Sequence, residues 1–107
     1  MNESEFDKIA AAELAYLERV LGDLDPDEVE ADLSSGVLTL TLGSGDKLVV
    51  NSHRAAREIW MAAFRQAWHF APKPGQQGYA WQTPKNDELR STLARVLSER
   101  LGREIKI

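Results

Sequence analysis

The sequence predicts an α+β fold, a two-layer α/β sandwich in which N- and C-terminal helices pack on one face of an antiparallel β-sheet. Apolar residues recur at three- and four-residue steps near both ends of the chain, and between these ends they alternate with polar residues. The turns that join the alternating segments are too short for a crossover, so the strands must be antiparallel neighbours. With 107 residues the chain has the size of one domain, and we assign residues 1–107 to a single domain.

The first helix is predicted to begin at Asn2, because Asn2 and Glu5 have the spacing of a capping box. It should end at Asp25-Pro26, since proline disfavours helical geometry in the residue before it. A helix that begins so near the first residue leaves no space for a targeting segment, and we therefore expect a cytoplasmic protein. The apolar face of this helix consists of Phe6, Ile9, Ala10, Leu14, Leu17, Val20, Leu21 and Leu24.

Three strands are predicted to follow the proline, at residues 28–33, 37–42 and 47–51. The turns at residues 34–36 and 43–46 connect them, and both turns contain glycine. In the first strand apolar and acidic residues alternate, so three carboxylates should face water. The alternating residues are Val29, Ala31 and Leu33 on the core side and Glu28, Glu30 and Asp32 on the water side.

The middle of the chain allows two interpretations. Residues 54–67 have apolar residues at helical offsets, yet a strand centred on Ile59-Trp60-Met61 would extend the meander equally well. The aromatic segments at residues 68–70 and 79–81 are predicted strands, and residues 72–78 between them are predicted to form a loop, because they are rich in proline and glycine.

A second helix is predicted after Asn86 and should end at Gly102. Ile105 and Ile107 alternate beyond it and predict a short tail strand. The apolar stripe of the second helix consists of Leu89, Leu93, Val96, Leu97 and Leu101.

With both helices on one side of the sheet, the opposite sheet face is left to solvent. We expect Trp60 on this open face, together with Trp68 or Trp81. One such aromatic is by default a half-buried sheet residue, but an exposed one is typical of residues that bind a protein partner.

Charge is unevenly distributed along the chain, whose formal net charge is −4. Residues 1–32 hold eleven acidic and two basic residues, a net charge of −9, and the rest of the chain has a net charge of +5. A segment this acidic repels phosphate backbones, so we expect no nucleic-acid partner.

The chain has no cysteine, which excludes a disulfide, a thiolate zinc site and a cysteine-ligated iron–sulfur cluster. It also has no apolar run long enough to predict a membrane span.

Several short segments carry a resemblance to a known family. They are Met1-Asn2 with Ser4-Glu5-Phe6, Gly36-Val37-Leu38-Thr39-Leu40, Val50-Asn51, Ile59-Trp60-Met61-Ala62 and Trp68-His69-Phe70. With these segments at these separations, the chain resembles the frataxin family, in particular its bacterial CyaY type, over nearly its whole length. The resemblance implies that Ile59-Trp60-Met61 is a strand and that the sheet continues through the aromatic segments.

The resemblance implies an iron-binding protein of iron–sulfur cluster assembly and not an enzyme. Frataxins bind iron weakly through surface carboxylates, and they dock on a cysteine desulfurase and on the iron–sulfur scaffold protein. We therefore expect an iron donor or sensor that regulates the desulfurase, with Fe²⁺ or Fe³⁺ weakly bound and exchangeable. The same resemblance implies a monomer, with iron-induced oligomers as a second state. Hard oxygen ligands without histidine or cysteine suit such weak sites.

The acidic ridge that the resemblance implies lies at the end of the first helix and beside the first strand. Its metal-binding candidates are Glu18, Asp23, Asp25, Asp27, Glu28, Glu30 and Asp32, with Glu3 and Asp7 as weaker ones. Arg19 and Gly22 stand where relatives commonly have acids, so the helix supplies fewer carboxylates. Like charges on one strand face repel, and a cation would stabilise them. Without the resemblance, the same acids describe a surface that only maintains solubility.

On the sheet face, Asn51 and Trp60 match residues with which the family contacts the assembly complex. Near Asn51, His53 and Ala55 stand where relatives commonly have glutamine and proline, which alters this contact. The sequence assigns no role to His53 or His69.

Other interpretations stay open on the residues alone. One is a sheet-face protein-interaction module without physiological iron binding. A hydrolase has no support, because the chain has neither a G-x-S-x-G nor an H-E-x-x-H motif. A sheet-based RNA binder would also display aromatic side chains, but the charge of this chain is unfavourable for it.

Overall fold

The computed structural model describes residues 1–76 and 78–107, and it has six antiparallel strands between two helices. The strands follow one another in the sheet in the order of the sequence, and both helices pack on one face, which confirms the predicted sandwich. Among the described residues, no helix is long and apolar enough to cross a membrane. The elements are α1 (Glu3–Gly22), β1 (Val29–Ser34), β2 (Val37–Leu42), β3 (Lys47–His53), β4 (Glu58–Ala63), β5 (Gln66–Gly75), β6 (Gly78–Gln82) and α2 (Leu89–Leu101).

Local hydrogen bonds determine where α1 begins and ends. The Asn2 side chain accepts a hydrogen bond from the backbone N–H of Glu5 at 2.8 Å, which confirms the predicted N-cap. The helix ends at Gly22, so the predicted end at Asp25-Pro26 was too late. The last turn tightens before the proline, because the backbone N–H groups of Asp23 and Leu24 donate to carbonyls three residues back, and the Asp25 carboxylate then accepts a hydrogen bond from the backbone N–H of Asp27 at 2.9 Å.

The ambiguous middle segment is strand β4. Ile59 and Met61 are buried, and Trp60 between them is half-buried on the other side of the sheet. A period of two is the pattern of a strand with one covered face, so the helical interpretation of residues 54–67 is wrong.

The tryptophans are divided between the core and the open face. Trp81 is 2% exposed, and its ring meets Phe6 edge-on at a centroid distance of 6.0 Å. Trp68 also packs against the core, because it alternates along β5 with His69, which lies opposite Trp60 on the other side. The expectation that Trp68 or Trp81 shares the open face with Trp60 is therefore wrong.

Strand β5 is longer than predicted. It continues through Pro72 and Pro74 to Gly75, and these residues pair with β6, so the loop predicted at residues 72–78 is largely strand. Strand β4 pairs with β5 only as far as Phe70. In the described part of the sheet, residues 72–75 therefore have a strand neighbour on one side only, and a residue that lacks an N–H is tolerated on the other side. Within the predicted loop, Gln77 lies outside the described residues.

Helix α2 ends as predicted, but the residues beyond it do not form a strand. Gly102 has a φ of +72°, the left-handed conformation of a glycine that ends a helix. The predicted tail strand with Ile105 and Ile107 is absent from residues 103–107. Instead, the backbone N–H of Ile105 donates to Ser98 Oγ at 2.8 Å, and the Ile105 side chain is buried in the core. Burial of this side chain against α2 takes the place of strand pairing.

Candidate functional site

Two carboxylates of the predicted ridge lie on the open face of the sheet. Alternate residues of β1 pack against the core, so Glu30 and Asp32 between them point away from the helices. In the register of the sheet, Glu30 lies opposite Thr41 and Asp32 lies opposite Thr39. Both acids are exposed, and no ion pair among the described residues involves either of them. The edge strand therefore presents two adjacent charges that the described part of the chain does not neutralise.

Glu28 was predicted as the third carboxylate of this row, and here the structure differs. Strand β1 begins only at Val29, and the Glu28 carboxylate accepts two hydrogen bonds from Arg103, at 2.9 Å from Nε and 2.6 Å from Nη2. These hydrogen bonds favour the charged forms, so they lower the pKa of Glu28 from its ordinary value of 4.5 and raise the pKa of Arg103. A cation was expected to stabilise this row of carboxylates, and at Glu28 the guanidinium of Arg103 provides the positive charge.

The Arg103–Glu28 pair should give a stability term that depends on pH. A lowered pKa in the folded state stabilises the fold above the unfolded pKa, and this contribution is lost as the pH falls through the folded pKa. We therefore expect wild type to be more stable than Arg103→Gln at neutral pH. This difference in the free energy of unfolding should decrease as the pH falls below 4.5. NMR titration of the Glu28 side chain should show its pKa rising in the variant. An identical Glu28 pKa in both proteins would contradict the pairing.

The other predicted ridge residues lie in or near the segment that leads from α1 to β1. Glu18 is half-buried on α1, and Asp23 is the C-cap residue of that helix with an exposed side chain. The Asp25 carboxylate is engaged in the turn with Asp27, whereas the Asp27 side chain is exposed. The structure thus places these acids on the last turns of α1 and on the segment that leads to the edge strand β1, with their carboxylates unequally available.

Part of the net charge of −9 in residues 1–32 is neutralised by an ion pair inside the fold. This pairing was not predicted from the sequence. Glu13 is 5% exposed and accepts two hydrogen bonds from Arg90, at 2.9 and 2.8 Å, which raise the pKa of Arg90. The Arg90 guanidinium also lies over the ring of Tyr16, 3.9 Å from its centroid. The sequence does contain an indication that Glu13 is buried, because Glu13 falls between Ala10 and Leu17 on the apolar face of the helix.

The two weaker ridge candidates also have basic partners. Asp7 Oδ2 lies 2.9 Å from Arg54 Nη2, and Glu3 Oε2 lies 3.7 Å from Arg57 Nη1. Both arginines belong to the turn between β3 and β4. These acids therefore connect the start of α1 to that turn, at a distance along the helix from the other predicted ligands.

The donor set of the ridge suits a hard cation that is carried as cargo and exchanged. Carboxylate oxygens are the ligands that hard cations prefer, and exposed carboxylates give weak binding. In residues 1–76 and 78–107, no group of three or more histidine or acidic side chains is arranged to hold a metal ion. Any ion on the ridge would therefore be bound by few protein ligands and mostly by water.

Trp60 is stacked between two histidines on the open face. Its ring centroid lies 3.7 Å from that of His53, with an interplanar angle of 16°, and 4.1 Å from that of His69, with an angle of 7°. The indole Nε1 donates to Glu58 Oε1 at 2.9 Å, and the same oxygen lies 3.9 Å from His69 Nδ1. Both faces of the indole are covered, so a partner would meet the edges of three parallel rings. The sequence alone gives neither histidine a role, because only the strand register makes them neighbours of Trp60.

The stack and the acidic strand β1 lie on the same face of the sheet. His53 Nδ1 accepts a hydrogen bond from the backbone N–H of Ala56 at 3.3 Å, which places the proton of the neutral ring on Nε2. Asn51 lies opposite Trp60 in the register and is half-buried. Strands β1 and β4 are three strand spacings apart, about 14 Å at about 4.8 Å per spacing. Glu30 therefore shares one continuous face with the stack.

Comparison with known proteins identifies the family. A model of the frataxin-like domain matches residues 1–105. The chain belongs to the frataxin-like family. Its fold agrees with a solved frataxin from Psychromonas ingrahamii with a TM-score of 0.86, where the match has 21% identity and covers 99% of this chain and 97% of the other.

Two curated relatives of this frataxin-like chain carry the same name. The iron–sulfur cluster assembly protein CyaY of Ralstonia nicotianae is 36% identical over 104 residues, which cover 92% of this chain and 88% of the relative. The CyaY protein of Paraburkholderia phymatum is 34% identical over 108 residues, which cover 100% of this chain and 98% of the relative. These relatives are named as assembly proteins and not as enzymes, in agreement with the prediction.

Proposed function

We propose that this protein acts in iron–sulfur cluster assembly in the cytoplasm, as a weak iron binder and a regulator of a cysteine desulfurase. The acidic ridge binds Fe²⁺ or Fe³⁺ and meets a basic surface of the desulfurase, while the face around Asn51 and Trp60 contacts the scaffold protein. Relatives named for this assembly process support the assignment of the process. The acidic strand and Trp60 lie apart on one open face, which supports separate roles for the ridge and for the surface around Trp60.

The observation that carries the proposal is the position of Glu30 and Asp32. Both carboxylates are exposed on an edge strand, point to the open face and have no ion-pair partner within the described residues. Two like charges on one strand face repel each other, and a bound cation or a basic partner surface relieves this repulsion. Their shared face with Trp60 would let one assembly partner contact both features.

The acid at the end of α1 supports the same proposal. Asp23 stands at the C-terminus of a helix, where the negative end of the macrodipole disfavours a carboxylate. Helix stability therefore does not explain the acid at this position. Binding of a cation or of a basic surface does explain it.

A second candidate function is a sheet-face interaction module that acts without iron. Two observations favour it: no arrangement of three metal-binding side chains exists in the described part of the chain, and Glu28 is already bound by Arg103. In this case the ridge would contact a basic partner surface directly. The two candidates differ in whether desulfurase binding requires intact iron binding.

The double variant Glu30→Gln/Asp32→Asn tests the proposal. We expect anaerobic calorimetric titration with Fe²⁺ to show affinity reduced roughly five- to tenfold, which corresponds to about 1 to 1.4 kcal/mol. We expect the same variant to retain less cysteine desulfurase in a pull-down. If the variant loses desulfurase binding while wild type binds no iron, the interaction module is the correct function.

The matched control is Glu99→Gln/Glu104→Gln, which removes the same charge from sites outside the ridge. Both side chains are highly exposed, at 68% and 76%, and each has only a surface ion pair. Iron affinity and desulfurase binding should stay close to wild type in this control. Equal losses in the two double variants would show that net charge, and not the ridge, determines binding, and this would refute the assignment.

A further inference from the structure

The residues after α2 are held in place by two separate contacts. The first is the pair of hydrogen bonds from the Arg103 guanidinium to both oxygens of Glu28. The second is the hydrogen bond from the Ile105 backbone N–H to Ser98 Oγ, with the Ile105 side chain buried in the core. The first contact reaches across to the ridge, whereas the second stays within the C-terminal part of the chain.

The first contact occupies a predicted iron ligand. A guanidinium that donates to both oxygens of a carboxylate takes up its bidentate side, and it repels a second positive group that approaches the same oxygens. Arg103 and an iron ion therefore compete for the Glu28 carboxylate. While the pair is intact, the exposed ridge carboxylates are those of other residues, such as Asp27, Glu30 and Asp32.

We propose that Arg103 is an internal competitor of iron at Glu28: it lowers the cation affinity of the ridge, and a cation bound at Glu28 releases the Arg103 side chain. This inference rests on the proposed binding of iron by the ridge. Its physical basis is competition between two positive groups for one carboxylate.

The exposure of the pair makes this competition feasible. The side chains of Arg103 and Glu28 are 47% and 33% exposed, so a cation in solution can reach the carboxylate. The Arg90–Glu13 pair has the same two-bond geometry, but the Glu13 side chain is only 4% exposed and is closed to cations. Exposed ion pairs are also weak, so iron can displace Arg103 without unfolding the domain. The contact between Ile105 and Ser98 then keeps the C-terminal residues on α2.

The experiment compares wild type with Arg103→Gln and Lys106→Gln by anaerobic calorimetric titration with Fe²⁺. Lys106→Gln is the matched control, because it removes one positive charge from the same segment. Lys106 is 84% exposed, and its one ion pair among the described residues is with Glu104 at 3.9 Å. We expect Arg103→Gln to bind Fe²⁺ about three to five times more tightly than wild type, since a weak internal competitor is removed. Lys106→Gln should differ from wild type by less than about twofold.

Two further measurements separate competition from a change in folding. In the Glu28→Gln background, the added Arg103→Gln substitution should leave Fe²⁺ affinity unchanged, because the shared carboxylate is gone. In wild type, saturation with the diamagnetic divalent ion Mg²⁺ should abolish the protection of the Arg103 side-chain N–H in NMR, while the Ile105 amide stays protected. Loss of protection at Ile105 as well would indicate unfolding of the segment and would overturn the mechanism.

The possible failures are distinguishable. If all proteins bind Fe²⁺ with equal affinity, the competition is refuted and the proposed iron binding stands. An equal gain for Arg103→Gln and Lys106→Gln would also refute it, since net charge would then explain the effect. If none of the proteins binds Fe²⁺, the proposed iron-binding function fails, and the competition fails with it.

Discussion

Replacement of Trp81 with alanine should lower the free energy of unfolding by about 3–5 kcal/mol. Trp81 is 2% exposed and meets Phe6 edge-on, so the substitution removes a large buried ring and leaves a cavity between β6 and α1. A domain of this size has a total stability of about 5–15 kcal/mol, so this is a large fraction of it. Urea denaturation followed by far-ultraviolet circular dichroism measures the loss without relying on tryptophan fluorescence.

Trp60→Ala is the control for this prediction. Trp60 is half-buried on the open face and covers no part of the core, so its loss should cost about 1 kcal/mol, mainly from the stack with His53 and His69. Trp81→Phe keeps an aromatic ring beside Phe6 and should lose less than alanine does, which keeps the test usable if Trp81→Ala fails to fold. Equal losses for Trp60→Ala and Trp81→Ala would contradict the position of Trp81 in the core.

Replacement of Gly43 with alanine should destabilise the protein by about 2–3 kcal/mol. A Cβ at this position would lie within 3.0 Å of the carbonyl oxygen of Asp27, a backbone atom that cannot rotate away. The Gly43 N–H also donates to the Glu28 carbonyl at 3.1 Å, so the two backbone segments are held close together. We expect the Glu28 side chain to shift and its hydrogen bonds with Arg103 to weaken. Thermal unfolding and the NMR titration of Glu28 would measure the two effects.

Gly22→Ala is the same chemical change with the opposite expected sign. Gly22 is the last residue of α1, and a Cβ there would meet no atom within 4 Å. Alanine lowers the conformational entropy of the unfolded chain and favours the helix, so we expect stabilisation by about 0.5 kcal/mol. A loss of stability in Gly22→Ala, or no loss in Gly43→Ala, would contradict the packing of the β2–β3 turn against the α1–β1 segment.

The fold could be predicted correctly because the sequence patterns that indicate it are local. The apolar stripe of α1, the alternation in β1 and β2 and the glycine at position 102 each depend on a few neighbouring residues. Where two local patterns were equally good, as in residues 54–67, periodicity could not choose between them. Proline was misleading in β5, because its effect depends on whether a neighbouring strand needs its N–H.

The candidate site was predicted only in part, because charge along a sequence does not show which charges are paired. Glu13, Glu28 and Glu30 are all acids of the first 32 residues, yet the first two are bound by arginines 77 and 75 residues away and the third has no ion-pair partner in the described chain. No local pattern contains a partner at that separation. The family resemblance indicates the region of the ridge but does not distinguish these states.

By itself, the sequence determined the two helices and their buried faces, the first three strands, the acidic segment and the frataxin-like identity of the chain. These follow from residue periodicity and from short segments at characteristic spacings. The tertiary structure alone decided that Trp60 lies between His53 and His69, that Trp81 belongs to the core and that Arg103 covers Glu28. Strand register and helix docking bring distant residues together, and such contacts depend on the geometry of the whole fold.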